Sequence, residues 1–241
     1  MKAGLLICDH IDPPYQPEFG DYPEMFAKLF PEFDFVYYEV TQGQFPTDLN
    51  ECDVFLATGS RYSVYEDIDW IKRLLELVRE IYRQKKYFLG FCFGHQLIGY
   101  ALGGKVEKSP NGWCIGAHTF EVRQKAPWMQ PSPPSFNLLM LCQDQIAILP
   151  ENTQVLAGDA KCPVGLIQVG ENMLGIQGHP EFSKAYDRLM MERRIDRMGK
   201  DLVEEGIASL QKEVHTQLMH DWFLNFLGLP KSSDKHSEMS F

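Results

Sequence analysis

The chain has 241 residues, 44% of them hydrophobic, and 33 acidic against 23 basic side chains give a formal charge of −10. That length and apolar content suffice for one substantial core. The acidic balance without any basic run argues against nucleic-acid binding, and the lack of an apolar run of spanning length argues against a membrane protein.

In chain order, Gly4-Leu-Leu-Ile-Cys8 reads as a first strand, too short and without a cleavage site for a secretory leader. A helix around Pro23 to Phe30 follows, then strands Phe33 to Val40 and Asp53 to Thr58, the second stopping abruptly at Gly59-Ser60. Ile68 to Tyr82 reads as a helix, Tyr87 to Phe91 as a buried strand, and His95 to Leu102 has helical spacing. After Gly104 the pattern turns to short strands, His118 to Arg123, Leu138 to Leu149, Gln154 to Ala157 and Val164 to Val169, with a proline-rich loop from Ala126 to Pro134. Asn172 to Gln177 is a last strand, and Phe182 to Arg197, Asp201 to Gln211 and Val214 to Phe226 read as helices. Strands alternating with helices predict an α/β fold with a mostly parallel central sheet and a small antiparallel excursion, whose ligand sites lie at the carboxyl ends of strands. The expected organisation is one domain over 1–230 and a polar tail, Lys231 to Phe241.

Cys92 falls where the strand meets the helix, flanked by glycines in Gly90-Phe-Cys92-Phe-Gly94. Small neighbours let the backbone take a strained turn that pushes the reactive atom outward, as in a nucleophile elbow. At that corner the N–H groups and dipole of the helix favour an anion on sulfur and can cradle an oxyanion. A lone cysteine also has an ordinary reading as a small buried hydrophobe. Far along the chain, Gly175-Ile-Gln177-Gly178-His179-Pro180-Glu181 leaves a strand with a histidine that the following proline holds extended. Glu181 is near enough to take one imidazole N–H and turn the other nitrogen toward a thiol. Read alone, His179 and Glu181 also have an ordinary reading, a satisfied loop histidine beside a surface glutamate.

Together these segments resemble the class I glutamine amidotransferase-like family, whose members carry G-x-C-x-G-H-Q at the nucleophile and G-x-Q-x-H-P-E at the base, and the match covers most of the chain. The resemblance implies a flavodoxin-like amidotransferase fold. It implies Cys92 as nucleophile, His179 as general base and acid, Glu181 as the orienting carboxylate, Gly59 and Phe93 as oxyanion-hole donors, and Gln96 as a substrate contact. The expected reaction cleaves a γ-glutamyl amide through a γ-glutamyl thioester. One departure stands at Leu141-Cys142-Gln143-Asp144, where many members carry a histidine at the position of Cys142 in a segment that shapes the substrate pocket.

Two substrates remain open. The chain resembles the amidotransferase domain of GMP synthase, in which case a separate synthase subunit receives ammonia, and it resembles γ-glutamyl peptidases that act on glutathione-type compounds. A noncatalytic binding module is a third reading. Relatives that take their histidine directly after the cysteine are disfavoured, because Phe93 occupies that place. Six cysteines without C-x-x-C pairing suggest a reducing cytoplasm and no disulfide framework. His10, His118, His215, His220 and His236 read as surface or packing residues, and neither metal nor cofactor is expected.

Overall fold

The computed structural model describes residues 1–229; the tail expected from Lys231 to Phe241, with His236, lies outside the described residues. The chain runs through β1 (Lys2–Ile7), α1 (Gln16–Phe19), α2 (Tyr22–Leu29), β2 (Asp34–Glu39), β3 (Val54–Ala57), α3 (Asp69–Arg83), β4 (Tyr87–Phe91) and α4 (Phe93–Ala101). It continues through β5 (Lys105–Lys108), β6 (Cys114–Val122), β7 (Ser135–Cys142), β8 (Asp144–Ile148), β9 (Thr153–Gly158), β10 (Leu166–Val169) and β11 (Met173–Ile176). Helices α5 (Lys184–Glu192), α6 (Ile195–Met198), α7 (Lys200–Ser209) and α8 (Thr216–Phe226) follow.

Among the described residues the main sheet has nine strands in the order β2-β1-β3-β4-β11-β10-β9-β6-β7. The first five are mutually parallel, and the last four extend the sheet antiparallel. A second sheet pairs β5 with β8. The expected α/β architecture is therefore present, with its antiparallel excursion partly joined to the main sheet.

The central strands read as unbroken apolar runs because both sheet faces are covered. Leu5, Leu89 and Phe91 pack into one core with Phe26 of α2 and Phe223 of α8, while Leu6, Phe55 and Phe88 enter the other with Leu74 and Val78 of α3 and Ile98 of α4. The period-two alternation of the strands decides which core each residue joins. In α3, Ile71, Leu74, Leu75, Val78 and Ile81 form the buried stripe that its helical spacing predicts. Asp21 and Glu24 close a capping box that fixes the start of α2.

The structure corrects three expected elements. The run from Leu138 to Leu149 is two strands, β7 and β8, which part at Gln143 and enter different sheets. Neither glycine nor proline marks that break, so the apolar pattern alone reads through it. The helix expected from Phe182 to Arg197 begins instead after Ser183, whose Oγ accepts the Tyr186 N–H, and breaks near Arg194, which has φ −111° and ψ 16°. Helix α4 starts at Phe93, directly after Cys92, and β5 was not anticipated.

Candidate active site

Cys92 has φ +50° and ψ −97°, a backbone conformation that L-residues rarely adopt. The flanking glycines explain how the corner closes. A Cβ at Gly90 would lie 2.3 Å from the Gly94 carbonyl oxygen, and one at Gly94 would lie 2.4 Å from the Ala57 oxygen. The end of β3, β4 and the first turn of α4 are thus in backbone contact. The Cys92 N–H donates to the Ile176 carbonyl at 2.9 Å, which ties the corner to β11.

That strand delivers the histidine, since β11 runs parallel beside β4 with Ile176 opposite Phe91. Gly175 makes room for the motif histidine beneath it, because a Cβ there would lie 2.8 Å from His95 Nδ1. Beyond the strand, the His179 N–H donates to the Leu139 carbonyl at 2.8 Å. Its Nδ1–H donates to Glu181 Oε1 at 2.7 Å, with the two side chains only 3% and 0% exposed. The Phe182 ring lies flat on the imidazole, with centroids 4.0 Å apart.

Burial alone would push the His179 imidazolium toward neutrality. The charges of Glu181 and Cys92, and a hydrogen bond from His179 to each, outweigh it and raise the group to about 10. The arrangement presents a thiol and an imidazole on one cavity wall, with a carboxylate hydrogen-bonded behind the imidazole. Chemically, such a set can hold a thiolate–imidazolium pair and move a proton at the attacked atom.

The remaining expected site residues surround that pair. A Cβ at Gly59 would lie 3.0 Å from His179 Cε1 and 3.1 Å from the Tyr22 hydroxyl, so the loop after β3 lies against the imidazole. Thr58 holds this loop, its hydroxyl donating to the Gly59 carbonyl at 2.9 Å and accepting the Cys8 N–H at 3.0 Å. Phe93 opens α4, where backbone N–H groups lack an acceptor within the helix. Gln96 donates through Nε2 to the Asp144 carbonyl at 2.8 Å and to Gln177 Oε1 at 3.3 Å. Gln177 in turn donates to Cys92 Sγ at 3.5 Å. A cavity of about 480 Å³ opens over these groups, and Cys92, Gln96, His179, Tyr22, Phe182 and Cys142 form part of its wall.

Sequence reasoning gave Gln177 no role, although it stands two residues before His179 and so projects to the same side of an extended chain. Phe182 reads from the sequence only as the start of a helix, and Tyr22, just before the helix expected from Pro23, has no role there. His10, expected to serve surface or packing, is in the cavity wall with Asp21 at 2.6 Å and Glu39 at 2.8 Å from its two ring nitrogens. Cys142, at the departure from the family pattern, faces the cavity opposite Cys114 in the register of β6 and β7. A hydrogen bond with Cys114, together with burial, pushes its thiol up. Among the described residues, no three histidine, cysteine or acidic side chains are arranged to hold a metal ion, and no helix is long and apolar enough to cross a membrane.

Residues 36–196, which include Cys92, His179 and Glu181, match the family model for glutamine amidotransferase class-I. The chain is 32% identical over 176 residues to gamma-glutamyl peptidase 3 of Arabidopsis thaliana, covering 69% of this chain and 71% of that one. It is 29% identical to gamma-glutamyl peptidase 2 of the same plant, covering 87% and 88%. To a glutamine-hydrolyzing GMP synthase of Aeropyrum pernix it is 28% identical, covering 81% of this chain and 39% of the synthase. A solved glutamine amidotransferase from Thermotoga maritima shares the fold, with a TM-score of 0.75 over 93% of this chain and 98% of that one at 20% identity.

Proposed function

The chain belongs to the class-I glutamine amidotransferase family, whose members here support a cysteine-dependent amidohydrolase, and we propose that it cleaves the γ-glutamyl amide of small γ-glutamyl peptides through Cys92, His179 and Glu181. The observation that carries this reading is His179 itself, which shares the cavity wall with Cys92 and is held from behind by Glu181 at 2.7 Å.

In this reading the Cys92 thiolate attacks the γ-carbonyl carbon. The N–H groups of Gly59 and Phe93 hold the resulting oxyanion. The C–N bond breaks as His179 gives its proton to the leaving amine, and a γ-glutamyl thioester remains on Cys92. Neutral His179 then takes a proton from water, the hydroxide adds to the thioester carbonyl, and the C–S bond breaks. Glutamate leaves, the carboxyl proton passes to solvent, and the thiolate–imidazolium pair is restored. Glu181 keeps the imidazole oriented and stabilises its charge throughout. Gln96 and Gln177 support the sulfur side of the pocket.

A peptide substrate is favoured because gamma-glutamyl peptidases match this chain over 71% and 88% of their own lengths. The GMP synthase relative carries a second reading, in which glutamine is the substrate and a separate synthase subunit takes the ammonia. Glutamate release from glutathione and from glutamine, measured in parallel with wild type and Cys92→Ala, separates the two. Faster release from glutathione supports the peptidase reading, and faster release from glutamine supports the synthase reading. Release that survives Cys92→Ala contradicts both.

A further inference from the structure

The helix break near Arg194 brings several arginines to one part of the cavity wall. Arg193, Arg194 and Arg197 line it, together with Arg61 and Lys108, in a chain whose net charge is −10. These cations are not equivalent. Asp9 at 2.9 Å and Asp12 at 3.2 Å hold Arg61, and Asp12 also holds Arg193 at 3.0 Å. Among the described residues no carboxylate forms an ion pair with Arg194 or Arg197. Asp187 feels the charge of Arg194, but burial pushes its carboxyl up to about 7, so it supplies only part of a counter-charge at neutral pH.

Arg197 lies over the Trp113 ring, 5.0 Å from its centroid, a stacking that fixes the plane of a guanidinium and leaves its edge for acceptors. Arg194 is partly desolvated, and the like charges of Arg197 and Arg61 bear on it along with Tyr186, Tyr22 and the partly ionised Asp187. A guanidinium in that setting stays charged, and an anion is the ligand that relieves it. The place of that anion relative to the chemistry follows from the shared cavity. Tyr22, Cys92, His179 and Arg194 line the same cavity, so a ligand whose γ-carbonyl meets the sulfur has Arg194 in the wall around it.

We propose that Arg194, with Arg197 beside it, receives the terminal carboxylate of the leaving peptide, so that the cavity selects γ-glutamyl peptides with a free C-terminus over glutamine. This inference rests on γ-glutamyl cleavage at Cys92. A cavity of about 480 Å³ is within the range that encloses a ligand larger than a single amino acid. Glutamine has no carboxylate on its leaving nitrogen and gains nothing from such a contact.

The test compares kcat/KM for glutathione, for glutathione bearing a C-terminal carboxamide, and for glutamine, using wild type, Arg194→Gln and Arg194→Lys, with Tm measured for each protein. Arg194→Gln is expected to lower kcat/KM for glutathione about 10- to 100-fold, the loss of a charge-assisted pair, and chiefly through KM. The carboxamide and glutamine should be unaffected, and Arg194→Lys should restore part of the loss because it keeps the charge without the planar fork. Equal losses on all three substrates would place Arg194 at the glutamyl half or in the framework, and no loss on glutathione would leave it without a role; either overturns the proposal. If Arg194→Gln does not fold, the wild type decides alone, since equal turnover of glutathione and its carboxamide also overturns it. Should the wild type cleave none of the three, the γ-glutamyl reading of the site falls first and this inference falls with it.

Discussion

Cys92 and His179 stand at the ends of neighbouring parallel strands, yet their two corners are held in opposite ways. At the Cys92 corner the backbone carries the constraint, with φ at +50° and two glycines whose neighbours leave no room for a Cβ. At the His179 corner no residue from Gln177 to Phe182 has a positive φ and the side chains carry the constraint, through the Glu181 hydrogen bond, the stacked Phe182 and near-complete burial. Strain sets where the sulfur is, and hydrogen bonding sets which way the imidazole points. The first corner should therefore fail through folding, and the second through protonation and orientation.

The largest expected effect is on activity at Cys92. Cys92→Ala should lower glutamate release by about 10⁴-fold or more while the protein keeps its fold, as judged by circular dichroism. At the other corner Glu181→Gln leaves shape nearly unchanged but removes a charge that raises His179, so activity should fall on the order of 10³-fold. The imidazole titration, followed by NMR, should move down from about 10 toward its ordinary value. The sign for stability follows from a folded value above the unfolded one. The contribution of His179 is fully present below about pH 6.5 and is lost as pH rises through about 10. Glu181→Gln should flatten that loss in urea unfolding curves, and an unchanged slope would mean the pair is not coupled as described.

Smaller effects should appear in stability. Gly90→Ala drives a methyl into the Gly94 carbonyl and should cost about 3 kcal/mol in chemical denaturation, with Gly94→Ala similar. At position 92 itself, Cys92→Gly should be more stable than Cys92→Ala by about 1–2 kcal/mol, because only glycine accepts the positive φ without strain. Equal stabilities would remove strain from the account of this corner. The smallest effect lies at Asp187, which is buried with both carboxyl oxygens lacking hydrogen-bond partners among the described residues. Its folded value of about 7 lies above the unfolded one, so wild-type stability should fall between about pH 4 and 7. Asp187→Asn should remove that slope and leave the protein about 1 kcal/mol or more stabler at pH 8.

The sequence was most legible where chemistry demanded rare local combinations. Glycines two residues either side of Cys92, and proline directly after His179, are backbone requirements that leave their mark as residue types. The parallel half of the sheet was legible for a related reason, since strands covered on both faces must be apolar throughout. The antiparallel half was less so. The division at Gln143 sends β7 and β8 to different sheets without a glycine or proline to mark it, because pairing partners rather than local propensity decide it. The break near Arg194 was hidden because neither glycine nor proline stands between Lys184 and Met198, and with it the arginines of the cavity wall. The roles of Gln177 and Tyr22 depend on which distant strand or loop comes alongside, which no local pattern records.

The central claim, that Cys92 carries the γ-glutamyl group while His179 serves both half-reactions, is tested most directly by acid-quenching the enzyme during turnover of glutathione and measuring its intact mass and the modified peptide. The account predicts a mass increase of one glutamyl group, located on Cys92, labile to hydroxylamine and absent from Cys92→Ala. Turnover with no adduct in the wild type under rapid quench, or an adduct on another residue, would contradict it.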